Sequence, residues 1–126
     1  MRPETLAEVA QLTLQGGSFD VCLANFLDGF YSAPIAGALL APPVLLAPVI
    51  GEPGAVQDTY LAATAEHLAG LNGFQVPAWA RAGERRLHRP WFASPLASLR
   101  TVLLLESPAA FRARNLFVSE NALTRV

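Results

Sequence analysis

The sequence predicts an all-α fold, a single compact bundle of six to eight mostly short helices forming one domain over residues 1–126. Three observations predict it. Apolar residues recur at helical spacing along much of the chain, and no long stretch alternates with period two as a half-buried strand would. Serine-proline pairs and glycine turns punctuate the chain at helix-length intervals. Apolar residues make up 52% and charged residues 15%, against about 45–50% and about 25% in ordinary domains. Such a composition argues against disorder. It also exceeds what a small domain can bury, so some apolar surface is expected outside, favouring a protein partner or a homodimer.

The elements follow in order. Pro3 suits the first position of a helix carrying Leu6, Val9, Ala10 and Leu14, which Gly16-Gly17 ends. Ser18 caps a second helix, with Asp20 in the first turn, where the helix dipole favours a carboxylate. Phe19, Cys22, Leu23, Phe26, Leu27, Phe30 and Tyr31 then fall on one stripe, the strongest helical signal in the chain. Residues 33–50 are apolar throughout but broken by Pro34, Gly37, Pro42, Pro43 and Pro48, so they read as a buried, kinked connection and not as a membrane span. Short helices are expected there at 34–40 and 44–49.

Gly51-Glu52-Pro53-Gly54 reads as a turn. Beyond it a helix over 55–71 places Val56, Tyr60, Ala63, Thr64, His67 and Leu71 on one face and Asp58, Ala62 and Glu66 on another. Residues 73–90 read as a loop with one helical turn near 77–80. Ser94-Pro95 opens a helix that reads as apolar all round from 96 to 105, with only Arg100 charged, the pattern of a central helix buried by its neighbours. Ser107-Pro108 repeats that start for a short helix ending near Asn115, and Ser119 caps a last helix with Val118 and Leu123 as its hydrophobic staple.

Charge is unevenly placed. The chain has no lysine, and eight of its nine arginines follow position 80. Residues 1–80 carry one arginine against seven carboxylates (net −6), and residues 81–126 carry eight arginines against three (net +5). Such a gradient marks either two halves that pair within the fold or a basic face for an acidic partner or nucleic acid. The overall pI near 6.1 disfavours a dedicated nucleic-acid binder, whose pI usually exceeds about 9.

Cys22 stands alone, so no intrachain disulfide forms, and its place on the apolar stripe makes it structural. The first residues lack the apolar core of a signal peptide, and a cytoplasmic location is expected. His67 and His88 are far apart and no ligand-spaced Cys, His or carboxylate set accompanies them, so neither a metal nor another cofactor is expected. No nucleophile elbow, phosphate loop or dinucleotide fingerprint is present, and no catalytic residue set is nominated. His67 reads as a hydrogen-bonded core residue.

The candidate contacts for a partner lie in the basic ending: Arg85, Arg86 and Arg89 in the loop, Trp91 beside them, and Arg112 and Arg114 beyond. Arginine and tryptophan dominate interface energetics. Arg112 and Arg114 lie about 200° apart on a helix, so one is expected to pair internally, with Glu106 or Glu120, while the other faces outward. Arg100, flanked by Leu96, Leu99 and Leu103, is expected to be a buried structural charge paired with Glu66, Asp28 or Glu106.

The run Pro90-Trp91-Phe92-Ala93, then Leu99-Arg100, then Glu106-Ser107-Pro108, Phe111-Arg112, Arg114-Asn115 and Phe117-Val118-Ser119, resembles the ending of a small, largely uncharacterised bacterial all-α family. Phe26-Leu27-Asp28-Gly29-Phe30-Tyr31, Tyr60-Leu61 and Glu66-His67-Leu68 carry the likeness through most of the chain. The resemblance implies a gene beside a nucleotidyltransferase-like toxin and an antitoxin-type role. The expected function is therefore a non-catalytic protein-interaction module with a cognate protein partner. The alternative is a small nucleic-acid-binding protein or an enzyme using the arginine-rich block.

Overall fold

Hydroxyl caps set the first two helices. Thr5 Oγ1 accepts from the Glu8 backbone N–H at 3.1 Å, and the Glu8 carboxylate reaches back to the Glu4 N–H, also at 3.1 Å. Helix α1 (Leu6–Leu14) therefore starts at this capping box, and the buried Pro3 precedes it instead of opening it. Ser18 Oγ accepts from the Val21 N–H and begins α2 (Phe19–Ser32), whose Phe19, Leu23, Phe26, Leu27 and Phe30 are buried as the stripe predicts. Cys22 is half-buried against that core.

The computed structural model describes residues 2–125; the outermost positions of the expected domain lie outside them. Along the described chain α1 and α2 are followed by α3 (Gly37–Leu40), α4 (Ala47–Ile50), α5 (Glu52–Asn72), α6 (Arg100–Glu106) and α7 (Ala109–Arg112). Turns of 3-10 helix lie at Ala78–Arg81, Gly83–Arg85 and Ala97–Leu99. The fold is all-α. A parallel pairing of β1 (Trp91–Phe92) with β2 (Leu116–Phe117), two residues each, is a detail that periodicity did not show.

The central element is α5. Small residues let it be approached from most sides: Leu61, Ala62, Ala63, Thr64, Ala65, Leu68 and Ala69 are all buried. It packs on α4, α7, β2 and the first two 3-10 turns. The expected turn at Glu52-Pro53-Gly54 is instead its first turn, with Gly51 (φ 89°) as the N-cap. Gly54 is required there, because a Cβ would lie 2.7 Å from the Leu46 carbonyl carbon and oxygen. The expected division of faces is also overturned: Asp58 is 1% exposed, whereas Leu71 points to solvent. Tyr60 joins α2 and α7 to this helix, edge-on to Phe19 at 6.0 Å and to Phe111 at 5.0 Å.

Residues 33–50 do split into two short helices around Pro42-Pro43, but they are not a buried connection. Ala38, Leu39, Pro43 and Leu46 anchor them, and Ile35, Leu40, Val44 and Val49 are exposed. At the far end Asn115 takes the left-handed conformation (φ 63°) expected of it. Among the described residues no helix follows Ser119; its Oγ accepts from the Asn121 N–H in a turn, and Val118 and Leu123 are buried without the helix they were expected to staple.

Candidate functional site

The arginine-rich ending separates into anchors and surface. Arg85, expected at a partner surface, is 4% exposed. Its guanidinium lies 3.8 Å from the Asp58 carboxylate, donates to the backbone oxygens of Pro43 and Asp58, and stacks 5.0 Å from the centre of the Trp79 ring. Burial lowers its pKa, opposed by the charges of Asp58 and Glu84. Asp58 also accepts the backbone N–H groups of Leu46 at 2.7 Å and Ala47 at 3.1 Å. One carboxylate thus holds the start of α4 and an arginine from a later loop to the central helix.

Arg114 is likewise interior. It pairs with Glu66 at 2.9 Å and donates to Ala110 O and Ala80 O at 2.8 and 2.7 Å. Internal pairing of one member of the Arg112/Arg114 pair was expected, with Glu106 or Glu120; the structure selects Arg114 and gives it Glu66. Arg86, Arg89 and Arg112 are exposed, and Trp91 is 38% exposed. Their segments run side by side: Leu87 N donates to Arg114 O at 3.1 Å and Trp91 N to Asn115 O at 2.9 Å. The remaining basic rim therefore consists of Arg86, Arg89 and Arg112 on adjoining strands of chain.

Arg100 and its helix correct the largest expectation. Arg100 is exposed and has no carboxylate partner among the described residues; its guanidinium rests 5.3 Å from the centre of the Phe92 ring. Nor is the 96–105 segment a central helix. Leu103 is buried, but Leu96, Leu99, Val102, Leu104 and Leu105 are 41–75% exposed. Residues 94–106 form an arm whose two ends are fixed to the segment 116–118. Ala93 N donates to Phe117 O at 2.9 Å on one side. On the other, Ser107 Oγ accepts from Val118 N at 2.8 Å and lies within hydrogen-bond distance of Val118 O and Leu103 O. Ser107 was expected to cap α7; it is a buried pin instead.

A cleft of about 470 Å³ opens between the starts of α2 and α5 and β1, with Phe19, Tyr60 and Trp91 among its walls and Asp20 and Glu52 at its edge. Burial, with the Asp20 charge adding to it, pushes the Tyr60 hydroxyl up to about 12, so it stays neutral. A smaller basic recess is lined by Arg81, Arg85, Arg86 and Arg114 with Glu66. His67 is half-buried beside Tyr31, Pro108 and Leu123; it makes no side-chain hydrogen bond among the described residues, and burial lowers its pKa. The hydrogen-bonded core role expected of it is not what the structure shows. Asp28 bonds Arg125 at 2.8 Å across the surface, which holds its carboxyl below the usual range.

Among the described residues no three His, Cys, Asp or Glu side chains converge as metal ligands, and no helix is long and apolar enough to cross a membrane. Comparison of the chain with family models, curated proteins and solved structures finds no match. The exposed arm is what sequence reasoning missed. Its signal was present as an apolar run, but a run that is apolar all round reads the same whether neighbours cover it or a partner does.

Proposed function

We propose that the chain is a non-catalytic protein-interaction module that docks a cognate protein through the 94–106 arm. The exposure of Leu96, Leu99, Val102, Leu104 and Leu105 on an arm fixed at both ends carries this reading. Contiguous exposed apolar surface marks interaction sites, and fixing the ends lowers the ordering cost of binding. Fully burying a Leu or Val side chain is worth about 1.5–3 kcal/mol. Five that are roughly half exposed hold about 4–8 kcal/mol in all. Association itself costs about 4–15 kcal/mol, so the arm alone does not make a tight complex. Arg86, Arg89 and Arg112 supply the polar contacts that complete the surface.

The resemblance noted in the sequence makes a nucleotidyltransferase-type toxin the first partner to test, with this chain in the antitoxin-like role. The chain is co-expressed with the protein encoded beside its gene, and the complex is captured through a tag on that neighbour. A 1:1 or 2:2 complex is expected, and Leu99→Asp with Leu105→Asp abolishes it without lowering Tm. Recovery of the chain alone, with tight oligonucleotide binding that weakens with salt, overturns the proposal in favour of phosphate recognition.

A further inference from the structure

The cleft between α2, α5 and β1 is independent of the arm and has a chemistry of its own. Three aromatic rings wall it, and the charged groups at its edge are both carboxylates, Asp20 from the first turn of α2 and Glu52 from the first turn of α5. Neither has a salt-bridge partner among the described residues, and no arginine lines the cleft. The two helix N-termini contribute roughly half a positive charge each, which leaves the mouth about one unit negative.

Gln57 lines the same cleft, and its side-chain oxygen is the buried polar side-chain atom without a hydrogen-bond partner among the described residues. Buried acceptors left unpaired are uncommon and costly, by about 1–3 kcal/mol. Carboxylates, an orphan amide oxygen and aromatic faces all lack what an organic cation supplies, which is donors and positive charge. A guanidinium or alkylammonium group with an apolar stem would lie against Trp91 and Tyr60 and reach Asp20 and Glu52, beside the Gln57 side chain.

We propose that this cleft is a binding site for an organic cation, a guanidinium or alkylammonium carried on an apolar stem. The cation is either a free amine or an arginine side chain presented by another protein; recognition is the same.

The test is titration of the ¹⁵N-labelled full-length chain with agmatine, following the indole N–H signals of Trp79 and Trp91. Trp79 donates to Leu39 O and lies outside the cleft, so it serves as the internal control. Selective movement of the Trp91 signal is expected, with a Kd on the order of 1 mM. Glu52→Gln together with Asp20→Asn should weaken binding at least about tenfold. Both sites are exposed first-turn positions; if the double variant does not fold, Glu52→Gln alone carries the test with a smaller loss.

An acetyl-Gly-Arg-Gly-amide peptide distinguishes the sources: tighter binding than agmatine assigns a protein-borne arginine, and weaker binding assigns a free cation. Binding of 1-pentanol as tight as that of agmatine overturns the proposal, as does unchanged affinity in the charge-neutralised variant or an unmoved Trp91 signal. Leu99→Asp with Leu105→Asp keeps cation binding, so failure of the docking proposal and failure of this one are separable.

Discussion

Replacing Asp58 by alanine removes more than one contact. The carboxylate, 1% exposed, accepts the Leu46 and Ala47 N–H groups at 2.7 and 3.1 Å and faces the Arg85 guanidinium at 3.8 Å. Its loss strands a buried cation and orphans a fully buried N–H. Breaking a buried ion pair by removing one partner costs about 3–5 kcal/mol. Unfolding entropy of about 2.1 cal/mol/K per residue over 126 residues gives roughly 0.26 kcal/mol/K, so Tm should fall by about 11–19 °C.

Arg85→Met alone should cost less, because Asp58 keeps its two backbone donors. The Asp58→Ala, Arg85→Met double variant should be more stable than Asp58→Ala, since no buried cation remains. Thermal melts by circular dichroism and urea titrations of the four proteins close the cycle. A loss below about 1 kcal/mol for Asp58→Ala, or a double variant no better than Asp58→Ala, refutes the assignment of this pair as an anchor.

Ser107→Ala leaves the buried Val118 N–H unpaired and should cost about 1–3 kcal/mol; amide exchange should accelerate across 94–106 more than in α5. Leu103→Ala should cost about 2–3 kcal/mol, the low end of core truncations since its surroundings are open on one side. Leu105→Asp should stay within about 0.5 kcal/mol; the reverse ranking in urea titrations would show that the arm folds onto the body. His67 has a folded pKa lowered by burial from 6.5. The unfolded chain therefore binds the proton more readily, and this stability is complete above pH 6.5 and is lost as pH falls through the folded pKa. Tm measured over that range should fall less for His67→Gln; equal slopes would remove His67 as the cause.

Helix α2 was legible because its core is on one stripe and its cap is local, with Ser18 and Asp20 beside the residues they serve. Helix α5 was found, but its faces were not. Alanines and threonines give it little amphipathic contrast, and Asp58 is inside because distant N–H groups and Arg85 satisfy it. Spacing cannot show a partner 27 residues away. The same reason moved Arg85 and Arg114 from surface to interior and left Arg86, Arg89 and Arg112 as the legible part of the rim. The Thr5-to-Glu8 capping box is written locally in the sequence, two residues beyond the Pro3 that competes with it as a start signal. The Glu52-Pro53-Gly54 start was hidden because Gly54 serves close packing on Leu46, not a bend.

The double attachment of the arm bears on how the surface can change over time. Residues 94–106 leave and rejoin the body through the same segment, 116–118, so what lies between is a loop whose closure is already secured. Lengthening such a loop is thermodynamically mild, about 0.6 kcal/mol for each doubling. Insertions, or replacement of the exposed positions of 95–105 around the buried Leu103, should leave the α5 core intact. The arm is a graft point: a sequence transplanted between Ala93 and Ser107 that keeps Leu103 as its buried anchor would carry its recognition with it, and the scaffold would hardly register the exchange.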